Sequence, residues 1–400
     1  MRAEFRKGPG VLHELSIAAR VAARALGRRL RGERAPDGDE DAFRTSLSAW
    51  TAALPAGALA DRRFHRVPAT QPPWFDTELD VEAGDSITLL SQGRVYLSRL
   101  LDIWVPPWFQ LWCRIGERGL IFRGTRDTHT FVAATSGRLW LANYFPGEWS
   151  DEHGALGTPV ADYARVSGGI SVAVLKWAPG TDVAAVVRES SSAGQAPELA
   201  VAEARRLAEP AEPQPKDWNY LWYLGPAEIY RPCVTTEGLA AIHCRTHGDS
   251  GILHRDARVA LAHGTKLRWS WRVDELPTDL PEDTLPSHEY LSIAVEFDDG
   301  QDITYFWSAS LPVGTIFGCP LPNWKDRETH VVVRSGAEGL GRWFDEERDV
   351  HADYARIVGG SAREVVRVWL IANSLLTRGQ GRCEYAGIEI VSGEEKVEVL

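Results

Sequence analysis

One methionine stands in this sequence against sixteen tryptophans. Cysteine is also scarce: Cys113, Cys233, Cys244, Cys319 and Cys383 are odd in number, widely spaced and free of any CxxC pair. That pattern disfavours a disulfide framework and a zinc knuckle and fits a reducing compartment. No apolar run approaches the length of a membrane span. Arg20 and Arg24 break the N-terminal apolar stretch, so no secretory signal is read and a cytoplasmic location is expected. There is no GxGxxG before a helix, no Walker A loop, no HExxH and no GxSxG, which disfavours nucleotide and serine-hydrolase chemistry. Basic charge is in deficit: a net charge of −11 argues against nucleic acid as the partner.

What remains is β pattern. Four hundred residues exceed one hydrophobic core, so two domains are expected. Lys266 to Asn373 holds runs of β-branched and aromatic residues separated by turn residues, the pattern of a sandwich or barrel. In Glu289 to Phe297, one phase carries Glu289, Leu291, Ile293, Val295 and Phe297. The other carries His288, Tyr290, Ser292, Ala294 and Glu296. Side chains at i and i+2 share a face, so the apolar phase should meet the core.

The second phases suggest a groove. If they converge, Glu296, Tyr305, Trp307, His330, Arg334 and Asn373 line one cleft, with Trp269 and Arg272 nearby. A hairpin through Asp298-Asp299-Gly300 should set Glu296 beside Tyr305 and Trp307, or else beside Thr304 and Phe306; the first arrangement is expected. Aromatic walls with a few polar groups suit a ligand cleft, and tryptophan favours binding faces. Trp307, Arg334, Arg272, Asn373 and Trp269 are then the ligand-binding candidates. Glu296, His330 and Tyr305 are the acid–base candidates, since a glycosidase needs two carboxylates and a lyase needs a base. The bland alternative is that the rings are core and the polar residues are solvated strand ends.

In chain order, residues 11 to 31 predict an amphipathic helix. Leu12, Leu15, Ala19, Ala22, Leu26 and Leu30 fall in one sector and Arg20, Arg24, Arg28 and Arg31 opposite. The leucine stripe is expected to pack on its own protein; the alternative is a peripheral membrane or protein contact by residues 11–31. Residues 32 to 42 read as a polar hinge. Residues 61 to 187 read as a first sandwich, 188 to 217 as a linker with a helix from Pro197 to Ala208, and 218 to 400 as a second sandwich. His243, Cys244 and His247 form HCxxH, but no second pair completes a tetrahedral set.

Two resemblances add to this reading. WFDTELDVEAGDSITLLSQGRV, RIGERGLIFRG, SGRLWLANYFPGEWSDEHG and GGISVAVLKW together resemble the LecA-type galactophilic lectins. That resemblance implies a β-sandwich in which a loop holds Ca²⁺ against sugar hydroxyls. Asn143 matches the start of the lectin motif, Tyr144 replaces its Asp, and Asp151-Glu152-His153-Gly154 replaces Asp-Asn-x-Gly. Asn143, Asp151 and Glu152 are therefore the implied calcium ligands. WSWRV, YLSIAVEFDDG, TYFWS, ETHVVVRSG, LGRWFDEERDVHADY and VWLIANS resemble a bacterial family of uncharacterised jelly-roll domains, which implies a fold rather than an activity.

The fold expected is all-β: two β-sandwich, jelly-roll-like domains, an N-terminal amphipathic helix and a short helical linker. The function expected is binding of a carbohydrate or glycoconjugate. The alternatives are a glycoside hydrolase or lyase using Glu296 and His330, and an interaction scaffold docked by the basic helix. No cofactor is expected to be required, with weak Ca²⁺ as the single exception, and the partner is a glycan or small molecule.

Overall fold

The computed structural model describes residues 9–32, 37–71, 74–144, 148–192, 194, 196–209 and 213–400. Residues 33–36 of the hinge, 145–147 of the lectin-like loop and 210–212 of the proline-rich joint lie outside these. The protein is 43% strand and 20% helix, so the all-β class holds, with helices as additions to sheets. Among the described residues, no helix is long and apolar enough to cross a membrane. The chain divides into two compact units, Ala25–Ala211 and Met1–Arg24 with Glu212–Leu400.

In the first unit a five-stranded sheet runs Leu59–Pro68, Ser167–Trp177, Ser86–Ser98, Ile103–Val105, with Thr128–Val132 also on Ser86–Ser98. A four-stranded sheet runs Phe75–Val81, Gly137–Asn143, Leu111–Ile115, Phe122–Arg123. Leu79, Val81, Leu111, Leu139 and Leu141 of the small sheet pack on Ile87, Leu89, Ile170, Val172 and Val174 of the large one. The strand Ser167–Trp177 is buried on its other face too. There Ala173, Leu175 and Trp177 meet Phe43, Leu47 and Trp50 of the helix Glu40–Ala52, and Val187 and Ala200 of the helices Val183–Ser191 and Glu198–Ala208. This double burial explains why ISVAVL carries one small polar residue, Ser171, and no charge. The segment read as a linker is therefore helical and packed over much of its length.

The second unit is a sandwich of a seven-stranded and a six-stranded sheet. The seven strands are, in spatial order, Asn219–Tyr220, Ser250–Ala260, Glu364–Asn373, Tyr290–Phe297, Asp302–Ser308, Glu328–Ser335 and Ile316–Gly318. The core between the sheets takes Leu291, Ile293, Val295, Tyr305, Trp307, Val331 and Leu370 from one side and Ile242, Leu267, Trp269, Trp271, Tyr385 and Ile390 from the other. Burying one such aliphatic side chain stabilises by roughly 1.5–3 kcal/mol, so this core is the main term holding the unit together.

The helix Val11–Leu30 forms as its spacing predicts, but with the opposite face inward. Leu12 and Leu30 are 84% and 80% exposed, whereas Ile17 and Val21 are buried. His13, Ile17, Val21 and Arg24 recur at helical spacing, and this face gains a histidine–carboxylate contact and an ion pair as well as apolar contact. His13 Nε2 lies 2.9 Å from Asp283 and Arg24 donates to Asp279 at 2.7 Å, both within the second unit. The leucine-led expectation failed because it weighed apolar residues alone.

In the first unit, burial pushes the Asp127 carboxyl up to about 7, against a backbone N–H from Trp108 that favours the charged form. Its Oδ1 is buried without a hydrogen-bond partner. A folded value raised above the unfolded one near 3.8 favours the protonated fold. Stability from this group is complete below that value and is lost as pH rises through about 7. Asp127→Asn should match the wild type at pH 4 and exceed it at pH 8, measured as urea midpoints across pH. A difference that does not grow over that interval would show that Asp127 is ionised in the fold.

Candidate functional site

The register of two strands decides which residues can meet. The hairpin turns at Gly300, whose φ of +79° suits glycine, and Phe297 N–H donates to the Gln301 carbonyl. Glu296 pairs with Asp302, Ala294 with Thr304 and Ser292 with Phe306. Glu296 therefore shares a face with Thr304 and Phe306, not with Tyr305 and Trp307. The expected arrangement is the one the turn does not allow.

Tyr305 and Trp307 point into the sandwich core, fully buried. Tyr305 stacks on Trp269 at 5.8 Å and donates to Asp353 Oδ2 at 3.0 Å. Trp307 Nε1–H donates to the Gly336 carbonyl at 2.9 Å. Trp269 is core as well. Arg334 leaves the phase of His330 because a bulge falls between Val332 and Arg334, so that Arg334 pairs with Trp307. Its guanidinium lies 3.5 Å above the Phe344 ring and bonds Glu346. Arg272 sits on the outer face of the other sheet, paired with Asp274 and Glu384. Asn373 is buried, donating to the His288 carbonyl at 2.6 Å. The aromatic groove expected from strand phase is thus split between core, edge and opposite sheets.

Glu296 and His330 do lie on one face of the seven-stranded sheet, two strands apart. Glu296 Oε2 accepts from Trp369 Nε1 at 3.1 Å and from Arg367 at 3.0 Å, and Arg367 also holds Asp256 at 3.1 Å. His330 is fully buried. The pair does not share a cleft.

This face is covered rather than solvated. Leu221, Leu311, Phe317 and Trp369 form a second apolar layer on it with Tyr290, Phe306 and Ile371, and Tyr223, Leu224 and Trp324 pack at its margin. Toward one end the layer opens as a chain of rings. Trp324 meets Trp369 edge-on at 6.1 Å and Tyr223 at 6.2 Å, and Tyr223 meets Trp222 at 5.2 Å. Arg327 lies 3.8 Å above Trp324. Trp222 is 38% exposed, and it is the one aromatic among the exposed large apolar side chains of the described residues.

Under the layer lies a polar knot that the sequence reading missed as a set. His288, Cys319, Glu328 and His330 are all buried, with one donor atom from each within 4.8 Å of the others. Tyr290 and Thr304 hydroxyls donate to Glu328 Oε1 at 3.2 and 3.0 Å. Burial alone would raise Glu328, but the neighbouring imidazoles, His330 first, outweigh it and hold the carboxyl below its ordinary value. Burial, reinforced by His330, pushes His288 down to about 3. Burial, then the Glu328 charge, lifts Asp302 well above the carboxylate range. A neutral acid beside an ionised carboxylate is the arrangement acid–base catalysis uses. Yet Asp302 and Glu328 are 3% and 2% exposed, so neither faces a substrate path. The spacing of Glu328 and His330, two residues apart on a strand, was a signal in the sequence; His288 and Cys319 gave none.

The implied calcium ligands differ in their surroundings. Asn143 is buried and donates to the Ala69 carbonyl at 3.1 Å. Asp151 Oδ1 accepts from His153 and Ala155 backbone N–H groups at 2.9 and 3.0 Å, and Glu152 is exposed. His243 lies 3.5 Å from Glu384, whereas Cys244 points into the core, so HCxxH does not converge on one point.

Residues 218–389 match a family model described as a protein of unknown function, DUF3047. No curated protein matches the chain. Among solved structures the chain is similar to the EclA N-terminal domain, a PllA-like lectin, at 16% identity over 28% of this chain and 95% of that one, with a TM-score of 0.22. It is similar to the xyloglucanase domain of NopAA, a type three effector from Sinorhizobium fredii, at 10% identity over 45% and 95%, with a TM-score of 0.27. It is similar to Trichoderma harzianum endoglucanase 3 from family GH12 at 8% identity over 45% and 100%, with a TM-score of 0.22. At these identities and TM-scores, the matches assign neither activity nor ligand to this chain.

Truncating Trp307 tests the corrected facing. Trp307→Ala should cost about 3–5 kcal/mol in chemical denaturation, as a buried tryptophan does. Trp222→Ala should cost clearly less than Trp307→Ala, because its indole is 38% exposed. Equal stabilities for the two variants would contradict the assignment of Trp307 to the core.

Proposed function

We propose that this protein binds carbohydrate on the outer face of the seven-stranded sheet, at the open end of its ring chain. Trp222 carries the reading. The other large exposed apolar residues among those described are aliphatic, while this indole stands at the end of a connected series of rings. The apolar C–H face of a pyranose stacks on such rings, and a rigid aromatic platform loses little entropy on binding. Trp222, Tyr223 and Trp324 would supply the stacking surface. Arg327, Glu296, Arg367 and Asp256, partly exposed along the same face, would meet hydroxyls at its rim. The charged groups pair with one another or with a ring, so they are oriented before a ligand arrives. Turnover is not part of this reading, because the acid–base candidates are either buried or already paired.

A glycan array probed with the full chain should show binding to at least one class of oligosaccharide. For that glycan, Trp222→Ala should weaken affinity roughly 10- to 100-fold by titration calorimetry, in the range of an aromatic hot spot, in a variant that remains folded at the assay temperature. An array without hits, or a glycan whose affinity ignores Trp222→Ala, would defeat the proposal.

A further inference from the structure

We propose that His288, Cys319, Glu328 and His330 form a closed, structural zinc site beneath the apolar layer of the seven-stranded sheet. The donor set is two imidazoles, one thiol and one carboxylate, all ordinary zinc ligands. Their geometry fits. A tetrahedral zinc with bonds of 2.0–2.3 Å spaces its ligand atoms about 3.4 Å apart. Here Cys319 Sγ lies 3.4 Å from His288 Nε2, and His330 Nε2 lies 3.3 Å from Glu328 Oε1. One donor atom from each of the four falls within 4.8 Å of the others.

The surroundings point the same way. His288 Nδ1 lies 2.7 Å from the Glu282 carbonyl and donates to it, which turns the Nε2 lone pair toward the cluster. A backbone carbonyl on the far nitrogen is the usual way a ligating histidine is oriented. Glu328 is held by two hydroxyls. His330 is the independent sign. It is 0% exposed, and neither ring nitrogen has a hydrogen-bond partner of acceptable geometry. A buried polar atom left in that state costs free energy, and coordination at Nε2 would satisfy the nitrogen that faces Glu328.

Charge balances as well. A thiolate and a carboxylate cancel Zn²⁺, leaving a neutral site in a region that solvates charge poorly. On loading, the Cys319 thiol gives its proton to solvent as the sulfur–zinc bond forms. Four protein donors leave no open position, so the ion would tie the 282–288 segment, Cys319 and the strand Glu328–Ser335 together rather than act on a substrate. The proposal is independent of the glycan platform, and it departs from the expectation that sparse cysteines leave no transition-metal site.

The test uses the full chain purified without chelator. Plasma mass spectrometry should find about one zinc per chain, matching one four-ligand site. After chelation, Zn²⁺ should raise the melting temperature, saturating at one equivalent. Loading with Co²⁺ should produce the visible bands of a tetrahedral ion and a sulfur-to-cobalt charge-transfer band. Cys319→Ser should remove the charge-transfer band, His330→Gln should abolish the response to zinc, and Cys233→Ser should change neither. A wild-type protein without zinc or cobalt bands overturns the proposal, and so does a charge-transfer band that survives Cys319→Ser.

Discussion

A sheet covered on both faces has no solvated side for its polar residues. That constraint governs the second unit. The strands Tyr290–Phe297 and Asp302–Ser308 bury one face in the sandwich core and much of the other under the layer of Leu221, Leu311, Phe317 and Trp369. Yet Asp302, Thr304, Glu328 and His330 lie on that second face. Burying such groups is unfavourable unless each is paired. The polar knot, the hydroxyl contacts to Glu328 and the shifted titration of His288 and Asp302 all follow from covering this face.

Much of the architecture was readable because burial in β-sheets leaves a period of two. Leu291, Ile293, Val295 and Phe297 announced the core face, and the structure places them there. Ile170 to Leu175 carries no charged residue in either phase, and its burial on both faces explains why. What period cannot supply is register. Whether Glu296 meets Thr304 or Tyr305 turns on one residue in the loop, and such a slip exchanges every neighbour. The bulge between Val332 and Arg334 has the same effect, moving Arg334 to the opposite face with no mark in THVVVRS. The inward face of the N-terminal helix was missed for another reason: its partners, Asp279 and Asp283, lie far along the chain.

The candidate sites divide in the same way. Glu328 and His330 could be linked from sequence because they are local. Cys319 and His288 could not, because three-dimensional pairing alone brings them together. Trp222 was hidden by abundance, since sixteen tryptophans look alike in a string and burial separates the exposed one from the rest.

The strand Glu328–Ser335 runs parallel to its neighbour Asp302–Ser308, while most pairs in this sheet are antiparallel. A parallel neighbour cannot be reached by a tight turn; the chain must cross over, here through residues 309–327. Loop closure then sets an order of assembly. The hairpin around Gly300 closes locally and early, whereas the crossover strand docks only after a longer and slower search. Cys319, Glu328 and His330 all arrive with that late segment. Its docking is the step at which the sheet acquires its final edge, so a chain stalled there would expose the long flank of Asp302–Ser308 to pairing with another molecule.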